Sequence, residues 1–133
     1  MNRRQLIALL AMGVGALVSG TTRANARQAM LVKSIPSSGE RIPAIGMGSS
    51  VTFNVGDDAS ARAQRAELLR AFFRLGGGML DSSPMYGSSE AVIGDGLRRL
   101  GRPPGLFAAT KVWTSSGEDG PAEIEASRGL WGV

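Results

Sequence analysis

The sequence predicts an α/β fold in which strands of a parallel sheet alternate with amphipathic helices, about three βα units after a short β-hairpin. Short apolar runs at 44–47, 79–80 and 105–112 each lead into a polar, glycine-containing loop. Segments with apolar residues three and four apart follow these loops, the spacing of a helix with one buried face. The last run, GLFAATKV, is almost continuously apolar, as a parallel strand buried on both faces requires. No repeat, low-complexity segment or linker interrupts the pattern, and 133 residues fit one domain.

The first segment reads as a targeting signal and not as part of the fold. Arg3 and Arg4 precede an uncharged apolar run from Leu6 to Val18, and Ala24-Asn25-Ala26 follows. That is the order of a basic n-region, an h-region and an A-x-A cleavage site. The run is shorter than the ~20 apolar residues a transmembrane helix needs. A buried core helix is the alternative, weakened by Gly13, Gly15 and Gly20. The paired arginines resemble a twin-arginine signal, with Asn2 where Ser or Thr is usual. Residues 1–26 are thus expected to be a signal peptide. Residues 27–133 would be periplasmic or secreted, with no membrane anchor after cleavage; without a signal the location would be cytoplasmic. The signal holds three arginines and no acid, so its removal lowers the net charge from +4 to +1. A nucleic-acid partner is not expected from so small a charge.

Leu31–Ile35 and Arg41–Pro43, joined by Ser37-Ser38-Gly39, form the expected hairpin. Ala44–Met47 is a strand running into Gly48-Ser49-Ser50. Ala59–Leu75 is helical, with Leu68, Leu69, Phe72 and Phe73 inward and Arg62, Arg65, Glu67, Arg70 and Arg74 outward. Gly76-Gly77-Gly78 stops it. Met79-Leu80 is a short strand ending at Asp81, followed by the loop SSPMYG. Ser88 or Ser89 caps a second helix with Val92, Ile93, Leu97 and Leu100 inward. Gly101 and Pro103-Pro104 end that helix, and the strand 105–112 follows. The polar loop Thr114–Gly120 then leads to Pro121 at a first helical position and a third helix with Ile124 and Ala126.

Two charged residues stand where strands end. Asp81 closes one strand, and Lys111 lies near the carboxyl end of an otherwise apolar one. Parallel strands present their carboxyl ends on one edge, which is where barrels and open sheets carry their sites. Tyr86, in the loop after Asp81, belongs to that edge. The segment between Tyr86 and Lys111 holds a loop, a helix, a turn and a returning strand, which brings Lys111 beside Asp81. A buried lysine needs a partner, and Asp81 supplies it. An ammonium beside a phenol stabilises the phenolate, so the phenol becomes a useful proton donor. A purely structural Lys–Asp pair, with Tyr86 capping the loop, is the alternative.

Taken together, the ordered elements Asp81-Ser82, Tyr86-Gly87, Ser89-Glu90, Ile93-Gly94 and Thr110-Lys111-Val112 resemble the aldo/keto reductase family. The opening IPAIGMGSS is similar to the family's first strand, with Gly48-Ser49 where Gly-Thr is usual. The resemblance covers nearly everything from Ile35 to Val112. It implies a (β/α)8 barrel closed at one end by a hairpin, and hydride transfer between NADPH and a small aldehyde or ketone. It makes Tyr86 the proton donor, Lys111 the group that tunes its acidity and Asp81 the partner of Lys111. Gly48 and Ser49, with Asp81, would lie near the nicotinamide end of the cofactor. Gly46 and Gly48 lack the third glycine of a Rossmann fingerprint. A different phosphate-binding barrel enzyme would leave the Tyr-Gly and Ser-Glu elements unexplained.

The departures concern what is missing. The family uses a histidine to orient the carbonyl, and this chain has none. A barrel of this kind takes about 250 residues. The chain is therefore expected to be an incomplete N-terminal part of a barrel, inactive alone. The alternative is a non-catalytic fragment, or a segment that completes a barrel only with another chain through an open sheet edge. The absence of cysteine excludes disulfides and cysteine-based metal sites, and no metal is expected.

Overall fold

The computed structural model describes residues 30–133, so the export segment expected at 1–26 lies outside the described residues. Strands β1 (Val32–Ser34) and β2 (Arg41–Pro43) pair antiparallel, with Lys33 opposite Ile42. Strands β3 (Met47–Gly48), β4 (Met79–Asp81) and β5 (Phe107–Ala109) form a parallel sheet in the order β3-β4-β5. Its register sets Gly48 beside Asp81 and Asp81 beside Ala109. β3 begins later than expected, at Met47 and not Ala44.

Helix α1 (Ala59–Arg74) starts at Asp58, whose carboxylate accepts from the Ala61 amide at 2.9 Å. Such a cap contributes about 1 kcal/mol. The helix stops where Gly76 takes φ of 96°. Its buried face is Ala66 and Leu69, with Phe72 and Phe73 partly buried, whereas Leu68 is exposed. The expected inward stripe was too wide: Leu68 lies about 100° round the helix from Leu69, beyond the reach of the next helix.

Helix α2 (Ser89–Arg99) is the centre of the packing, with Val92, Ile93 and Leu97 fully buried and Leu100 partly so. Glycines let its neighbours approach. A Cβ on Gly96 would meet Leu69 Cδ1 at 2.5 Å, and one on Gly94 would meet the Leu130 carbonyl oxygen at 1.9 Å. Leu130 belongs to α3 (Gly120–Trp131), which follows a 3₁₀ turn at Gly117–Asp119. Phe53, Leu69, Leu80, Val92, Ile93, Leu97 and Trp131 form the core, on one side of the sheet.

Gly94→Ala should therefore destabilise the fold by about 1–3 kcal/mol, because the obstacle is backbone and α2 and α3 must separate. Gly129→Ala, where an added Cβ meets nothing within 4 Å, should instead stabilise α3 by up to ~1 kcal/mol. Urea unfolding of both variants checks the pair of signs.

In α3 the buried residues are Gly120, Ser127 and Trp131, while Ile124 and Ala126 are exposed. The buried positions lie seven and eleven apart, on a single helical stripe. β5 is not buried on both faces. Ala108, although it shares the side that Leu80 faces, is exposed, and Phe107 and Ala109 are half-buried, so the expected two-sided cover is missing. No described helix is long and apolar enough to cross a membrane.

Candidate active site

Side chains alternate along a strand, so Leu80, Ala108 and Thr110 face the helices while Asp81, Ala109 and Lys111 face the other side. The ladder continues one residue past β4, since the Ser82 amide donates to the Ala109 carbonyl at 2.9 Å. That bond holds the two strand ends together where Asp81 and Lys111 emerge. Lys111 Nζ donates to Asp81 Oδ1 and Oδ2 at 2.9 and 2.8 Å and to the Ser82 carbonyl at 2.9 Å. Its three protons are thus all directed to the end of β4. The same nitrogen lies 5.2 Å from the centroid of the Tyr86 ring, within the range of a cation–π contact.

Tyr86 is placed by its loop. Ser83 is fully buried, its carbonyl accepts from the Tyr86 amide at 3.0 Å, and its hydroxyl accepts from the Met85 amide at 3.3 Å. Beyond the tyrosine, Asn54 Oδ1 accepts from both the Ser88 amide and the Ser88 hydroxyl at 3.1 Å. The Ser88 hydroxyl accepts in turn from the Gly56 amide at 2.8 Å. Ser88 occupies the N-cap position of α2, but its hydroxyl is used in this cross-loop link and makes no cap bond.

The hydrogen bond that Lys111 donates to Asp81 raises its ammonium above the usual lysine range; the Asp81 charge and Tyr86 add to this, against partial desolvation. Since the folded value lies above the unfolded one, the pair's stabilisation is complete below about pH 10 and is lost as pH rises through the folded value. Both side chains are about two-fifths exposed, at 41% and 44%, so the contribution is about 1 kcal/mol or less. Thermal unfolding followed from about pH 8 upward should show an alkaline decline of that size, absent in Lys111→Met.

Asp81, Tyr86 and Lys111 therefore converge at one rim of the sheet. Gly48 lies beside Asp81 in the register, and the place its Cβ would take is open for 4 Å. A flat ring has room against the backbone there. The Ser49 hydroxyl, next in the chain, is buried without a partner, as is that of Ser82. An apolar cavity of about 280 Å³ between β5 and α3 is lined by Ala108, Ile124 and Trp131. It lies on the helix side of the sheet, opposite the Asp81–Lys111 pair. Sequence reasoning missed Asn54 and Ser83, whose short polar side chains give no periodic signal. It also assigned no task to Glu90, although Ser89-Glu90 stood among the recurring elements.

The family model for the aldo/keto reductase family matches residues 44–129. Methylglyoxal reductase YeaE of Escherichia coli (strain K12) is 35% identical over 101 residues, which cover 74% of this chain and 34% of that protein. Among solved structures, the thermostable aldo-keto reductase Tm1743, in complex with the inhibitor epalrestat, matches with a TM-score of 0.63 and 28% identity over 78% of this chain and 39% of its own. The aldo-keto reductase AKR2E5, complexed with NADPH, shares the fold at a TM-score of 0.61 and 24% identity, over 78% of this chain and 33% of its own. The chain thus spans between a third and two-fifths of the length of these relatives. By its sequence and its fold, the chain belongs to the aldo/keto reductase family.

Proposed function

We propose that this chain carries the proton-donating part of a carbonyl reductase site, set at the rim of a partial (β/α)8 barrel. The observation that carries the reading is the Lys111 ammonium, fixed on the Asp81 carboxylate and held 5.2 Å from the Tyr86 ring. Tyr86 gives its hydroxyl proton to the oxygen of a bound aldehyde or ketone as that oxygen gains negative charge. Lys111 stabilises the phenolate left behind, and Asp81 keeps Lys111 from swinging into solvent. NADPH, when bound, supplies the hydride to the carbonyl carbon. The open space beside Gly48 and the neighbouring Asp81 fit the nicotinamide end of that cofactor, with Ser49 adjoining them.

The 133-residue chain is proposed to be inactive alone. It has no histidine to orient the carbonyl, and relatives are more than twice as long. The test is a chimera in which the aligned 101 residues of the E. coli methylglyoxal reductase are exchanged for those of this chain. NADPH oxidation with methylglyoxal should appear in the chimera, vanish with Tyr86→Phe, and be absent from the chain by itself. Turnover that survives the loss of the Tyr86 hydroxyl would sink the reading.

A further inference from the structure

One acidic residue lies behind the rim, outside the chemistry just described. Glu90, in the first turn of α2, is 2% exposed. Its Oε1 accepts from the Thr110 hydroxyl at 2.6 Å and from the Trp131 indole nitrogen at 3.1 Å. Its Oε2 accepts from the Ser127 hydroxyl at 3.0 Å. A buried carboxylate is costly unless its lone pairs are used, and here three donors from two other parts of the chain use them. The start of a helix also favours negative charge. The carboxylate thus ties α2 to α3, through Ser127 and Trp131, and to the residue that follows β5, through Thr110.

Thr110 directly precedes Lys111. β5 itself ends at Ala109, so no strand pairing fixes the backbone of Thr110 or Lys111. The bonds of the Lys111 ammonium to Asp81 and Ser82 act at the far end of a flexible side chain, so the alternation of the backbone needs a second fixing point. The short Thr110–Glu90 bond provides it: with Thr110 held on the helix side, Lys111 is directed to the opposite side, toward Asp81 and Tyr86. We infer that Glu90 is a positioning residue for Lys111, acting through the Thr110 hydroxyl to aim the ammonium at the rim. It touches neither the phenol nor the space beside Gly48. The inference rests on the proposed site, because it gives Lys111 a required direction.

The chain contains a single tyrosine, Tyr86, and two lysines, Lys33 and Lys111, so one NMR measurement separates the possibilities. A cross-relaxation peak between the Lys111 ε-methylene and the Tyr86 ring, with a ring-current shift of those methylene protons, is expected in the unaltered chain. Thr110→Val, which keeps size and removes the hydroxyl, should reduce both signals by more than half. Thr110→Ser, which keeps the hydroxyl, should restore them. Ser127→Ala, which removes a Glu90 partner remote from Lys111, should leave them unchanged, as a merely structural network would not. If the unaltered chain shows no Lys111–Tyr86 signal, the proposed site itself fails and takes this inference with it. If the signal is present and Thr110→Val leaves it intact, the positioning role alone is overturned. Glu90→Gln gives a second arm, expected to weaken the signal in the same direction; full retention there would equally refute the role.

Discussion

In the methylglyoxal reductase chimera, Tyr86→Phe is expected to lower kcat by about 10²–10⁴, the range a positioned general acid supplies. At ~1.4 kcal/mol per decade this corresponds to ~3–5 kcal/mol of lost transition-state stabilisation. The ring remains, so its contact with the Lys111 ammonium and its packing in the loop remain too. KM should therefore change little, which separates a lost proton donor from a collapsed loop. Lys111→Met should reduce kcat comparably, since the phenolate then has no cation beside it. Asp81→Asn should cost less, because the Ser82 carbonyl still accepts from Lys111. A Tyr86→Phe chimera retaining more than about a tenth of the parent rate would be incompatible with general acid catalysis by this phenol.

The second large effect is on stability. Glu90→Ala leaves the Thr110 hydroxyl, the Ser127 hydroxyl and the Trp131 indole N–H without their acceptor. Ser127 and Trp131 are each 2% exposed, so water does not readily replace the carboxylate. A stranded buried donor costs about 1–3 kcal/mol, and the sum over the three, allowing for relaxation, is expected at about 3–5 kcal/mol. A domain of this size has ~5–15 kcal/mol in all. The urea midpoint should fall steeply with little change in slope. Glu90→Gln keeps the volume and one strong acceptor, and should lose about half as much. A Glu90→Ala midpoint within ~1 kcal/mol of the parent would show that the three donors find other partners.

Much of this architecture is written in local residue patterns. The glycine run after α1, Asp58 before it and the periodic Val92, Ile93 and Leu97 are short-range signals, and the structure has elements where they stand. The meeting of Asp81, Tyr86 and Lys111 was legible for a topological reason: parallel strands with helical returns have their carboxyl ends on one edge. What escaped notice depends on residues that have no pattern of their own. The inner stripe of α3 runs through Gly120 and Ser127 to Trp131, and the apolar Ile124 is not part of it. The burial of the Ser49 hydroxyl depends on the surrounding fold, which its neighbours in the chain do not show. Glu90 reads in isolation as a solvated residue of an exposed helix start. Its partners lie 20, 37 and 41 positions away, and only the packing of α3 against α2 brings them within reach.

The bonds that join Asn54, Ser88 and Gly56 have a mechanical consequence. Ser89 adds to them by donating to the carbonyls of Ser49 and Ser50 at 3.3 and 3.4 Å. The segment after β3 and the segment bearing the phenol are thereby riveted into one plate. Neither can lift without dragging the other. A displacement of the segment beside Gly48 would therefore be passed on to the loop that bears the phenol.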